Sequence, residues 1–245
     1  MRDQIIVECF GVPGVGKTYV ASQICQMLEA EGISVNDFAM IIGRASSYSR
    51  IIRKSRLIIG STAKNLSVLK IVFRMVNLHR PKKLRYWLKL IVNWLYVRAL
   101  IANQSQSDEV RVLDQGVGQA IWSTRFYGKE APKHEVVVGA LMEFLERLPI
   151  AALVIVSIDA PDKVVLERLR NRRDGQSPLD KDEGLWDLAS EVTGATKCVL
   201  EYLASDSGRV SLSEYRNHQS AGERDCNPLS NALAAVKGAR GSHAA

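Results

Sequence analysis

The octapeptide Gly11-Val12-Pro13-Gly14-Val15-Gly16-Lys17-Thr18 satisfies the spacing G-x-x-x-x-G-K-[ST] at every fixed position. Glycines at those places let successive main-chain N–H groups turn inward. A helix beginning at the end of the loop adds the positive pole of its dipole to the same spot. The chemistry that fits is capture of a triphosphate tail. Lys17 reaches the β- and γ-phosphates, the Thr18 hydroxyl offers a hard oxygen to Mg²⁺, and the nucleotide-contacting stretch runs on to Tyr19. ATP with Mg²⁺ is the expected pair.

Three further groups have the right chemistry to act beside that loop. Asp114 closes the apolar run Val110 to Asp114 (VRVLD), and a carboxylate at the carboxyl edge of a sheet stands where α/β proteins bind their ligands. It is a candidate for holding Mg²⁺ or orienting the attacking group, although Asp before Gln-Gly is also ordinary turn chemistry. Asp159 has a similar position, but Asp159-Ala160-Pro161-Asp162 is good helix-start chemistry by itself, and a structural role is expected for it. Arg168, Arg170, Arg172 and Arg173 end a helical stretch ahead of a polar loop. Arg168 and Arg172, four apart, share a helix face. Their guanidinium forks suit phosphoryl oxygens, and cations at a helix C-terminus are also favoured by the dipole alone.

Hydropathy periodicity supplies the elements that must position these groups. Gln4 to Cys9 reads as a strand, Thr18 to Ala30 as a helix, and Ile33 to Ile42 as the site of a second short strand. The pattern from about Ser46 to Ala102 is helical and divided at Pro81, with Leu66, Leu69, Val72, Phe73 and Val76 on one face. Strands follow at Val110 to Asp114 and Ala151 to Ile158, with a helix near Lys133 to Leu148 between them. Further helices are expected after Pro161 to about Arg173 and over Lys181 to Leu203, then an edge strand at Arg209 to Leu212 and a helix at Pro228 to Val236. Alternation of this kind predicts a three-layer α/β/α fold with a parallel sheet. The expected organisation is a single domain over 1–240, with its core in 1–43 and 106–240, a basic helical insertion at about 44–105, and a disordered tail at 238–245.

Charge is concentrated in that insertion. The 245-residue chain has 33 Lys and Arg against 26 Asp and Glu, a net +7. Between Phe38 and Ser107 there are fourteen basic residues and no acidic one, which leaves −7 for the remainder. An anionic partner should therefore meet this segment. Leu84 to Ala102 is apolar apart from Arg85, Lys89, Asn93 and Arg98, a pattern better explained by burial within the protein than by membrane spanning. Acceptor binding or lid structure comes first for the segment, ahead of a membrane surface or nucleic acid. Cys9, Cys25, Cys198 and Cys226 are scattered without metal-ligand or disulfide spacing. The N-terminus reads as a strand and not as a signal sequence, so a cytoplasmic location is expected.

The P-loop, the strand end Leu113-Asp114-Gln115-Gly116, and Ser157-Ile158-Asp159-Ala160-Pro161 followed by Leu166-Glu167-Arg168 and Arg172 resemble the thymidylate-kinase-like branch of the P-loop nucleotide kinases. The resemblance covers about 1–35 and 108–240. It implies Lys17 on the transferring phosphates, Thr18 on Mg²⁺, Asp114 on metal or acceptor, and Arg168 with Arg172 in a lid. Gln115 stands where the family carries an Arg, and the 38–107 segment does not match the family's acceptor-binding segment. Arg44, Arg50 and Arg125 are candidates to supply the missing charge. The expected activity is transfer of the γ-phosphoryl group of ATP to a small-molecule acceptor such as a nucleotide or nucleoside, with a homodimer allowed. The alternative is a regulatory NTPase whose basic helices engage a membrane surface, protein or nucleic acid.

Overall fold

In the computed structural model, residues 4–36, 54–60, 67–102, 109–171, 178–180, 182–217 and 227–243 are described. Five strands, β1 (Gln4–Phe10), β2 (Val35–Asn36), β3 (Val110–Leu113), β4 (Ile150–Asp159) and β5 (Val210–Arg216), form one sheet of order β2-β3-β1-β4-β5. Every pairing is parallel. β1 is central, and all seven of its residues are buried, as a strand covered on both faces must be.

Alternation along β1 assigns the two layers. Val7 points toward α1 (Lys17–Ala30) and α8 (Asn227–His243), lining a small apolar gap with Ile24, Leu28 and Val236. Its neighbours Glu8 and Phe10 point the other way, against Gly118 of α4 (Val117–Tyr127), which also meets Leu200 of α7 (Trp186–Asp206). The three-layer α/β/α architecture expected from the alternating pattern is therefore present.

The basic segment contributes a helical stretch at 54–60 and a hairpin of α2 (Ser67–Leu78) and α3 (Leu84–Ala102). Pro81 sits in the turn between them and bridges Gly128. The hairpin packs on α4 and on α5 (His134–Glu146), where Trp94 donates its indole N–H to Thr124 at 2.9 Å and meets Phe144 edge-on.

Several boundaries differ from expectation. The buried stripe of α2 is Val68, Ile71, Val72, Met75 and Val76, rotated from the predicted face. Phe73 lies at its margin, stacked on Trp87, and Leu66 lies outside the described residues. β5 runs four residues beyond Leu212 as a regular parallel edge strand. α8 continues through Gly238 to His243, correcting the expected tail over those residues; Ala232 and Val236 are buried, so docking on the sheet supports a helix of weak propensity. Of the predicted second strand, Val35 and Asn36 are extended and 37–42 lie outside the described residues.

Candidate functional site

The loop between β1 and α1 is shaped so that only glycine fits at its key points. Gly16 has φ of 102°, and a Cβ there would fall 2.5 Å from the Asn217 side-chain nitrogen. At Gly11 a Cβ would fall 2.6 Å from the Ile158 carbonyl at the end of β4, so the loop lies directly over the sheet edge. α1 starts at Gly16 with no side-chain cap and no acidic residue in its first turn. Its first N–H groups are thus available to an anion.

Lys17 and Thr18 open the helix. The Lys17 ammonium donates to the Gly11 and Val12 carbonyls at 2.8 and 2.9 Å, which parks the charge across the mouth of the loop. The Thr18 hydroxyl donates to Asp114 Oδ2 at 3.2 Å. Asp114 follows β3, half-buried beside the β1 edge. Burial raises its carboxyl above the ordinary carboxylate range, while the Thr18 hydroxyl, Lys17 and Lys54 oppose the rise. An alcohol and a carboxylate at this separation form a hard-oxygen pair of the kind Mg²⁺ takes up alongside phosphate oxygens, so the residues fit that ion. Val12, Pro13, Gly14 and Val15 complete the loop, and Tyr19 is exposed on the first turn of α1.

Arg168 stands on α6 (Asp162–Arg170), the helix after β4. Its guanidinium donates to the Val15 carbonyl at 3.1 Å, so it meets the loop from behind. Asp159 accepts the Ala160 N–H at 3.0 Å, a local helix-entry contact. Arg172, Arg44 and Arg50 lie outside the described residues. Arg125 is eight residues along α4 from Val117, ~12 Å of helix rise from that end, in the field of Cys198 on α7. It is not brought to the loop.

Four residues that sequence reasoning did not single out complete the site. Asn217, just past β5, is buried and donates its side-chain N–H to Val15 O at 2.8 Å. Nothing in a Ser/Asn-rich stretch marked it. Glu8 is wholly buried in β1 and accepts N–H bonds from Gly116 at 3.1 Å and Gln119 at 3.2 Å, at the N-terminus of α4. Burial pushes its carboxyl up to about 7 against those backbone bonds. The signal was available: a lone acid inside an apolar strand (QIIVECF) needs a partner. Lys54 and Tyr96 come from the basic segment. The Lys54 ammonium lies 4.3 Å from the Tyr96 ring centre, and both groups feel the Asp114 charge. Burial, with Asp114 second, pushes the Tyr96 phenol up to about 12.

No protein-family model and no curated protein matches the chain. Among solved structures it is similar to a gluconokinase from Sinorhizobium meliloti 1021, at 15% identity over 99% of this chain and 98% of that one, with a TM-score of 0.37. A likeness that loose transfers no activity.

Proposed function

We propose that the protein is an ATP-dependent phosphotransferase that moves the γ-phosphoryl group to a small-molecule acceptor. The observation that carries this reading is the contact of Thr18 with Asp114 beside a parked Lys17 and an uncapped helix start. In support of it, a lysine ammonium, main-chain N–H groups without a side-chain cap and two hard oxygens lie on one sheet edge. Thr18 and Asp114 are the residues that would hold Mg²⁺, which when bound supplies positive charge to the phosphate oxygens.

The chain's own residues do the rest. Lys17 leaves the Gly11 and Val12 carbonyls for the β- and γ-phosphates. In transfer, the bond from the γ-phosphorus to the ADP oxygen breaks and one to the acceptor oxygen forms, and a hydroxyl acceptor releases its proton to solvent. Little covalent help is needed, so positioning and charge neutralisation dominate. Arg168, which must first leave the Val15 carbonyl, is assigned with Arg172 to the charge redistributed at that moment. Lys54 on the Tyr96 ring, within electrostatic reach of Asp114, is assigned to the acceptor side, where a cation suits an acceptor with an anionic or hydroxyl-rich edge. Within the thymidylate-kinase-like branch that acceptor is a nucleotide or nucleoside.

The test is ATP turnover across a panel of nucleosides, nucleotides and sugars, with phosphorylated product identified by mass spectrometry. Acceptor-dependent ADP release is expected, lowered at least about a hundredfold in Lys17→Ala. Turnover indifferent to every acceptor would instead favour a regulatory NTPase, and normal transfer by Lys17→Ala would remove the proposed mechanism.

A further inference from the structure

We infer that the open side of the α2–α3 hairpin docks the protein on an anionic lipid bilayer. Burial accounts for the second half of α3, where Trp94 to Ile101 are inside. It does not account for the first half. Leu84, Leu88 and Val92 are 73, 53 and 52% exposed. Spaced four apart, they drift only ~40° around the helix per step, so they make one aliphatic ridge two turns long. Of the eight large apolar side chains exposed among the described residues, five (these three with Ile59 and Phe73) belong to the basic segment. The concentration is local and not a general property of the surface.

What borders the ridge identifies its partner. Arg85 follows the ridge residue Leu84 by one position and is exposed, as are Lys82 and Lys83 just before α3, whereas the Lys89 ammonium is held by Tyr127. On the opposite flank Trp87 stacks on Phe73 at 5.6 Å and donates its indole N–H to Asn77 at 2.8 Å. An apolar ridge with cations along one side and an amphipathic aromatic along the other is the arrangement of a helix lying in a membrane interface. The segment from 38 to 107 contains no acid to repel anionic headgroups. Two nearby acids from elsewhere, Glu143 and Glu130, are paired with Arg74 and Arg80. A projecting ridge also fits a deformable bilayer better than a folded partner, whose recognition centres on anchors in pockets. Among the described residues no helix is long and apolar enough to cross a membrane, so the contact lies on the surface. Val92 is one turn from Tyr96, and a docked α3 would carry the proposed acceptor side to the lipid.

Co-sedimentation of the full chain with vesicles tests this. Binding is expected to vesicles of equal parts phosphatidylcholine and phosphatidylglycerol, weaker as salt is raised, and not to phosphatidylcholine alone. Combining Leu84→Gln, Leu88→Gln and Val92→Gln should weaken partitioning at least about tenfold with the melting temperature unchanged, since all three side chains are exposed. Removing Lys82, Lys83 and Arg85 as Gln should weaken it roughly fivefold per charge. Absence of binding to the anionic vesicles at low salt overturns the inference, as does equal binding by the ridge variant. A dimer in light scattering that the ridge variant dissociates, with no vesicle binding, would assign the ridge to a second copy of the chain.

Discussion

Replacing Glu8 by Gln separates the charge of a buried carboxylate from its shape. The folded chain holds the Glu8 carboxyl at about 7 against an ordinary 4.5, chiefly because burial strips its hydration. A folded value above the unfolded one means that folding takes up a proton between the two. The contribution of Glu8 to stability is therefore complete below about pH 4.5 and is lost as pH rises through about 7. At ~1.4 kcal/mol per pH unit the loss amounts to about 3 kcal/mol. Gln keeps a carbonyl oxygen for the Gly116 and Gln119 N–H groups and cannot ionise. Urea unfolding followed from about pH 4 to about pH 8 should show the two chains nearly equal at the acid end. Toward the alkaline end Glu8→Gln should become the more stable by about 3 kcal/mol, with the same dependence on urea. Other titrating groups cancel in the difference. Parallel stability curves would refute the reasoning, because they would mean that Glu8 is ionised throughout or well hydrated in the folded chain.

Other substitutions probe the loop. Gly16→Ala must adopt a φ of 102° and push its Cβ against Asn217, so calorimetric binding of ATP with magnesium should be lost. Adding Asn217→Ala should restore only part of it, since the steric clash is relieved and the left-handed backbone penalty of ~1–2 kcal/mol is not. Asn217→Ala alone leaves Val15 O with the Arg168 bond, and ATP affinity should fall roughly fivefold, the worth of one hydrogen bond. Arg168→Ala should lower kcat more than it weakens ATP affinity; equal losses would make Arg168 a brace of the loop and nothing more.

The legible parts of this protein are those in which the constraint is local. The loop glycines, the helix opening at Lys17 and the acid ending β3 each follow from a few adjacent residues, and the structure sets Thr18 against Asp114 across 96 positions. The alternation of strands and helices was sufficient for the parallel sheet. The α2 face was displaced because several of its residues are apolar all round, leaving the period ambiguous until tertiary packing chose Val68 and Met75 over Phe73. α8 outruns its predicted end because docking of Ala232 and Val236 supports a helix of weak propensity. Glu8 is legible in principle, since an acid inside an apolar strand is a strong signal; Asn217, Lys54 and Tyr96 are not, because their meaning lies in partners far along the chain.

Asn217 shows why that distance matters to function. A trans peptide points its C=O and N–H in opposite directions. The Val15 carbonyl is held by Arg168 from 153 positions away and by Asn217 from 202, so the Gly16 N–H is aimed away from both braces before any nucleotide arrives. The octapeptide has the composition to cradle a phosphate, but the direction of that amide is set by α6 and by the end of β5. A loop of the same sequence without these two donors would have to order its Val15–Gly16 peptide at the moment of binding and would lose affinity accordingly. On the proposed function the folded sheet edge would thus be part of the anion site, although no residue of the motif belongs to it.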